Sequence, residues 1–81
     1  MKITEGSKRR CREKFPIKGI GKTINTAVHL LENEEVGVII SEFICDSDDD
    51  KLYNVLLFLI RENSKDEKII NELNKYHFLC L

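Results

Sequence analysis

Apolar and polar positions change rhythm several times along the chain. Residues 1 to 14 show no hydrophobic periodicity, which predicts an extended or irregular arm until a partner orders it. Phe15-Pro16-Ile17 begins the folded part, and Gly19 and Gly21 bracket Ile20 as the mark of a turn or bulge. From Lys22 to Leu31 two templates fit. Ile24, Ala27, Val28 and Leu31 share one face of a helix, whereas Ile24, Thr26, Val28 and Leu30 share one face of a strand. The β-branched residues Thr23, Ile24, Thr26 and Val28 tilt the expectation to a strand over Thr23 to Leu30.

After Glu32-Asn33-Glu34-Glu35, the run from Val36 to Ile44 is rich in β-branched residues and reads as a second strand. Asp46-Ser47-Asp48-Asp49-Asp50 follows as an exposed acidic loop. Lys51 to Arg61 is densely apolar, and its periodicity does not separate a buried strand from a short core helix. Ser64-Lys65-Asp66-Glu67 has the form of a capping box, with the Ser64 hydroxyl accepting from the Glu67 backbone N–H. The helix after it presents Ile69, Ile70, Leu73 and Tyr76 at spacings of three and four, and His77 to Leu81 tucks back on the core. The expected fold class is α+β: a small antiparallel sheet with a C-terminal helix packed on it and a basic N-terminal extension. The expected division is an extension over 1–14 and a single small domain over 15–81.

Length narrows the functional classes. A chain of 81 residues buries only about 60–65% of the surface its unfolded form exposes, which favours a binding protein over an enzyme with a deep cleft. Its longest unbroken apolar run between Val55 and Ile60 is too short for the roughly 20 residues of a membrane-crossing helix. No secretory signal pattern is visible at the N-terminus. Cys11, Cys45 and Cys80 are too far apart for zinc pairs and odd in number, so they read as reduced thiols in a cytoplasmic protein. His77-x-x-Cys80 is half a metal site, and no cofactor is implied.

Charge changes the picture more than composition does. The net charge of −1 hides a division: residues 1 to 22 carry eight cations against Glu5 and Glu13, and residues 23 to 81 carry five cations against twelve carboxylates. A basic arm on an acidic body points to a polyanion at one end. Lys8, Arg9, Arg10, Arg12, Lys14, Lys18 and Lys22 are the candidate RNA-binding residues, through phosphate contacts that neutralise charge and release counterions. The acidic 46–50 loop should point away from RNA. Apolar C-terminal positions such as Phe78 and Leu79 are candidates for contact with a protein neighbour.

Catalytic patterns fail on spacing. Gly21-Lys22-Thr23 resembles the end of a phosphate-binding loop, but the glycine needed five residues before Gly21 is Pro16, which has no backbone donor. Asp48, Asp49 and Asp50 lack the alternation, central glycine and closing glutamate of a calcium loop. No nucleophile stands beside an evident base.

Arg9-Arg10-Cys11, Thr23-Ile24-Asn25-Thr26-Ala27-Val28, and Tyr53, Val55, Leu59, Arg61, Asp66, Glu67 and Ile69 together resemble the eukaryotic small-subunit (40S) ribosomal protein S-twenty-one family. The resemblance covers roughly residues 8 to 79, gapless from Tyr53 to Ile69. Gly21-Lys22 stands where that family has an Asp-His pair, and the segment from Glu32 to Leu52 is longer and more acidic. It implies a structural constituent of the cytoplasmic small ribosomal subunit that binds ribosomal RNA and neighbouring proteins, chiefly universal small-subunit protein two and secondly protein five. It also implies a strand at Thr23 to Leu30. A second stretch, Ile17 to Val28, is similar to the second-helix motif of Alba-type nucleic-acid-binding proteins, which implies a helix there after a basic glycine turn. A small protein-interaction domain is the third alternative.

Overall fold

The computed structural model describes residues 1–81 and contains helices only. They are α1 (Glu5–Lys14), α2 (Ile20–Asn33), α3 (Val36–Ile39), which runs on without a break into a π-helical turn (Ile40–Ile44), α4 (Asp50–Asn63) and α5 (Glu67–Leu73). About two-thirds of the residues are helical and there is no sheet, so the expected α+β class is corrected to all-α.

Residues 1 to 14 do not form an extended arm. Ile3, Ser7, Cys11 and Phe15 recur every fourth position and are all buried, which lays one stripe of α1 on the other helices. Polar Ser7 breaks the apolar signal of that stripe, and the structure satisfies it: its hydroxyl accepts from Asn63 Nδ2 at 2.9 Å, tying α1 to α4. Thr4 caps the helix by accepting from the Ser7 N–H at 3.1 Å, and Glu5 lies in the first turn, where a negative charge suits the helix dipole.

Over residues 23 to 30 the helical template prevails and the expected strand is absent. Ile20, Ile24, Ala27, Val28 and Leu31 are buried, while Thr26, on the Ile24 face of a strand, is exposed. The β-branched threonines are accommodated because their hydroxyls turn back onto their own helix. Thr26 Oγ1 donates to Lys22 O at 3.1 Å and Thr23 Oγ1 to Gly19 O at 3.5 Å. Gly19 precedes this helix with φ +83°, a left-handed conformation that a residue with a Cβ adopts only with strain.

The expected second strand over Val36 to Ile44 is also helical. Ile39, Ile40 and Ile44 are buried at helical spacing, and the turn ends with Cys45 N donating to Ile40 O, five residues back. A strand would have buried alternate residues; here Ile39 and Ile40 are buried together.

For residues 51 to 61 the core-helix alternative holds. α4 is the central element, in contact with α1, α2, the π turn and α5. Val55, Leu56, Leu57, Leu59 and Ile60 are completely buried, and a single cluster contains all seventeen buried apolar side chains. The C-terminal helix forms as expected, with Leu73 buried and Ile69, Ile70 and Tyr76 half-buried. Its start lies later than the capping box predicts. Asp66 is the cap, accepting from Lys68 N at 2.9 Å, and Ser64 Oγ accepts from Asp66 N at 3.3 Å instead of from Glu67. Residues 46 to 49 form an exposed loop with Ser47 half-buried, as expected, and exposed Asp50 already begins α4.

Candidate nucleic-acid interface

The seven candidate cations divide into two groups. Lys8 is drawn along its own helix to Glu5 at 3.0 Å, and Arg10 Nε meets Glu62 Oε1 at 2.6 Å, bracing α1 against α4. A charge neutralised in this way has less to offer a phosphate. Arg9, Arg12, Lys14, Lys18 and Lys22 are exposed and none of them pairs with a carboxylate. These five run from the second half of α1, through the connection that includes Gly19, into the first turn of α2.

Local structure explains why they stay free. Arg9 and Arg12 stand three residues apart on α1, on the side away from the buried Ile3-Ser7-Cys11-Phe15 stripe. Lys14 lies at the end of α1, exposed, with its Nζ 4.8 Å from the ring centroid of Phe78 and 5.7 Å from that of Phe15, so its ammonium rests over aromatic rings and not beside a carboxylate. Lys18 and Lys22 flank the glycine turn. The cap position of α2 offers no side-chain oxygen, and its first turn holds no acid. Cations there oppose the positive end of the helix dipole, a small local cost that a bound anion would relieve.

The fold adds a cation that sequence reasoning missed. Lys51, at the far end of the acidic 46–50 loop, reaches across to donate to Lys18 O at 3.2 Å, and its Nζ lies beside Gly19. Nothing in the linear pattern marks it, because its neighbours in sequence are acidic and its position depends on how α4 packs against α2. The acidic loop has a structural role of its own: Asp49 accepts from Leu52 N at 3.1 Å and caps α4, and Asp50 occupies that helix's first turn.

Lys22 and Thr23, singled out as the end of a possible phosphate loop, lie in the first turn of α2, with the Thr23 hydroxyl turned onto Gly19 O. No three His, Cys, Asp or Glu side chains come together as a set of metal ligands. No helix is long and apolar enough to cross a membrane. All three cysteines are free, Cys11 buried and Cys45 and Cys80 exposed.

Chemically, the edge can hold a chain of phosphates through charge and through the paired donors of two arginines. It has no aromatic ring free for base stacking, since Phe15, Phe58 and Phe78 pack on one another with centroids 5.6 to 6.4 Å apart. No protein-family model matches this chain, and no curated protein or solved structure is significantly similar to it.

Proposed function

We propose that the protein binds RNA through the phosphate backbone and acts, without catalysis, as a small component of a ribonucleoprotein particle. The observation that carries this reading is the stretch of five exposed cations, Arg9, Arg12, Lys14, Lys18 and Lys22, with no carboxylate partner in a chain whose remainder is acidic. Lys51 extends the same edge. Phosphate contacts position a protein on a polyanion without reading bases, so sequence-independent binding is the expected mode.

Among particles, the cytoplasmic small ribosomal subunit is the one the sequence resemblance favours. That resemblance required a strand at Thr23 to Leu30, and the helix α2 that stands there counts against it and toward the Alba-like alternative. Phosphate-backbone binding is therefore the broader and better supported statement. The basic glycine turn opening into a helix is the feature the Alba-like motif implied, and it serves the same chemistry.

The test is fluorescence anisotropy with labelled single-stranded RNA of two unrelated sequences across a salt series. If all five cations meet phosphate, log K falls against log salt with a slope of about −3.5. The two sequences should bind equally. Replacing the five with glutamate should abolish binding at physiological salt and flatten that dependence. An unchanged affinity in the folded variant would overturn the reading.

A further inference from the structure

Helix α4 holds the last residues of the chain by their backbone. Asn54, fully buried, donates from Nδ2 to Leu79 O at 3.0 Å and accepts at Oδ1 from Leu79 N at 2.9 Å. This is the paired hydrogen-bond pattern by which one strand engages a residue of its neighbour, supplied here by one side chain. Tyr53 Oη donates to His77 O at 2.8 Å, and Arg61 donates to Tyr76 O at 2.8 Å and Leu73 O at 2.9 Å. From His77 onward the segment makes no backbone–backbone hydrogen bond.

Only one side chain of the segment is firmly read. Phe78 packs edge-on against Phe15, with Lys14 Nζ 4.8 Å and the Arg61 guanidinium 5.4 Å from its ring centroid. Leu79 and Leu81 stay 44% and 51% exposed, two of the three large apolar side chains so placed in the whole molecule. A hollow of about 250 Å³ remains beside them, lined by Lys14, Phe15, Pro16 and Ile17 together with Phe78 and the two leucines. One aromatic anchor and a few hydrogen bonds must offset the ordering of five residues at about 1–2 kcal/mol of backbone entropy each. Such a segment sits at the low-stability end of the structure.

We propose that the groove between α4 and the Phe15–Ile17 turn is a receptor for an extended peptide of a partner protein, and that residues 77–81 occupy it as an exchangeable strap. The peptide carries an aromatic residue followed by an aliphatic one, with carboxylates beside them. Asn54 and Tyr53 bind the backbone of the strap and so accept other sequences, Phe15 and Phe58 take the aromatic ring, and the hollow takes a larger aliphatic side chain. The acidic requirement comes from charge: Lys14 lines the hollow and Lys18 follows Ile17, both without carboxylate partners, while residues 73–81 contain Lys75 and no acidic side chain. A second copy of this chain would bring the same unmatched tail, which is why a different, acidic partner is the better occupant.

The experiment titrates two labelled hexapeptides, Tyr-His-Phe-Leu-Ser-Leu and Asp-Glu-Phe-Leu-Asp-Leu, onto the full chain and onto the full chain carrying Phe78→Ala, which frees the strap. The acidic peptide should bind the Phe78→Ala chain at least tenfold more tightly than the wild type. It should also bind about tenfold more tightly than the neutral peptide, an advantage that vanishes in about 0.5 M salt as the charges are screened. Adding Asn54→Leu should remove binding. In the wild type, saturating acidic peptide should speed hydrogen exchange of the Leu79 amide, a readout that stands even where a variant fails to fold. Absence of any effect on Leu79 exchange at saturating peptide, undiminished binding after Asn54→Leu, or a wild-type dimer with exchanged tails would overturn the proposal.

Discussion

Cys11 lies fully buried on the inner stripe of α1, and burial pushes its thiol up to about 11 from the ordinary 9.0, with Arg12 opposing that shift and Glu62 adding to it. The consequence for stability has a definite sign. Between pH about 9 and 11 the unfolded chain releases the thiol proton and the folded chain keeps it, so stability falls as pH rises through that window. Urea midpoints measured from pH 8 to 11 should show this decline, and Cys11→Ala should flatten it relative to wild type. An equal decline in both would mean that other groups are responsible. Tyr76 is also raised, from the ordinary 10.0 to about 12, by its hydrogen bond with the Cys45 thiol at 2.7 Å and then by burial, so it adds to the decline above pH about 10 in wild type and Cys11→Ala alike, and only the difference between the two chains reports Cys11. At the same scale, Asn54 shows what a single residue hides from sequence reading. An asparagine among Val55, Leu56 and Leu57 looks like an interruption of the apolar run, yet it is buried because the backbone of Leu79 satisfies it.

Among the helices, legibility followed how each one is buried. α5 is half-exposed, so its apolar face stands out at helical spacing, and its existence was evident from Ile69, Ile70, Leu73 and Tyr76. α4 is surrounded on nearly all sides, so Val55 to Ile60 is apolar almost throughout and carries no period that separates helix from strand. In α2 and in residues 36 to 44, β-branched composition argued for strands, and helical packing onto α4 overrode that weak preference. α1 was missed because its stripe has serine and cysteine where a helix ordinarily shows leucine. The cap of α4 gives a direct test of the helical account. Asp49→Ala should lower stability by about 1 kcal/mol, while Asp49→Asn, which retains an accepting oxygen, should cost little. Equal losses in thermal or urea unfolding for the two variants would show that charge, and not the cap, matters there.

At the scale of the whole molecule, folding turns a linear charge asymmetry into a surface. The arm expected to hang free is instead held to the core by Ile3, Ser7 and Cys11, so its arginines are presented on a fixed helix. Of the candidate site, the identity of most cations was legible in the basic segment. Which of them are free was not, because Glu62 reaches Arg10 only through the packing of α1 on α4. The joining of Lys51 was hidden for the same reason. The central claim is that this ordered edge is where RNA docks. The most direct measurement is an amide chemical-shift titration of the folded protein with a short single-stranded RNA. Shifts should concentrate between Arg9 and Thr23 and at Lys51, and leave Asp46 to Asp50 and α5 unmoved. Shifts centred on α5 or the acidic loop, or none at saturating RNA, would contradict it.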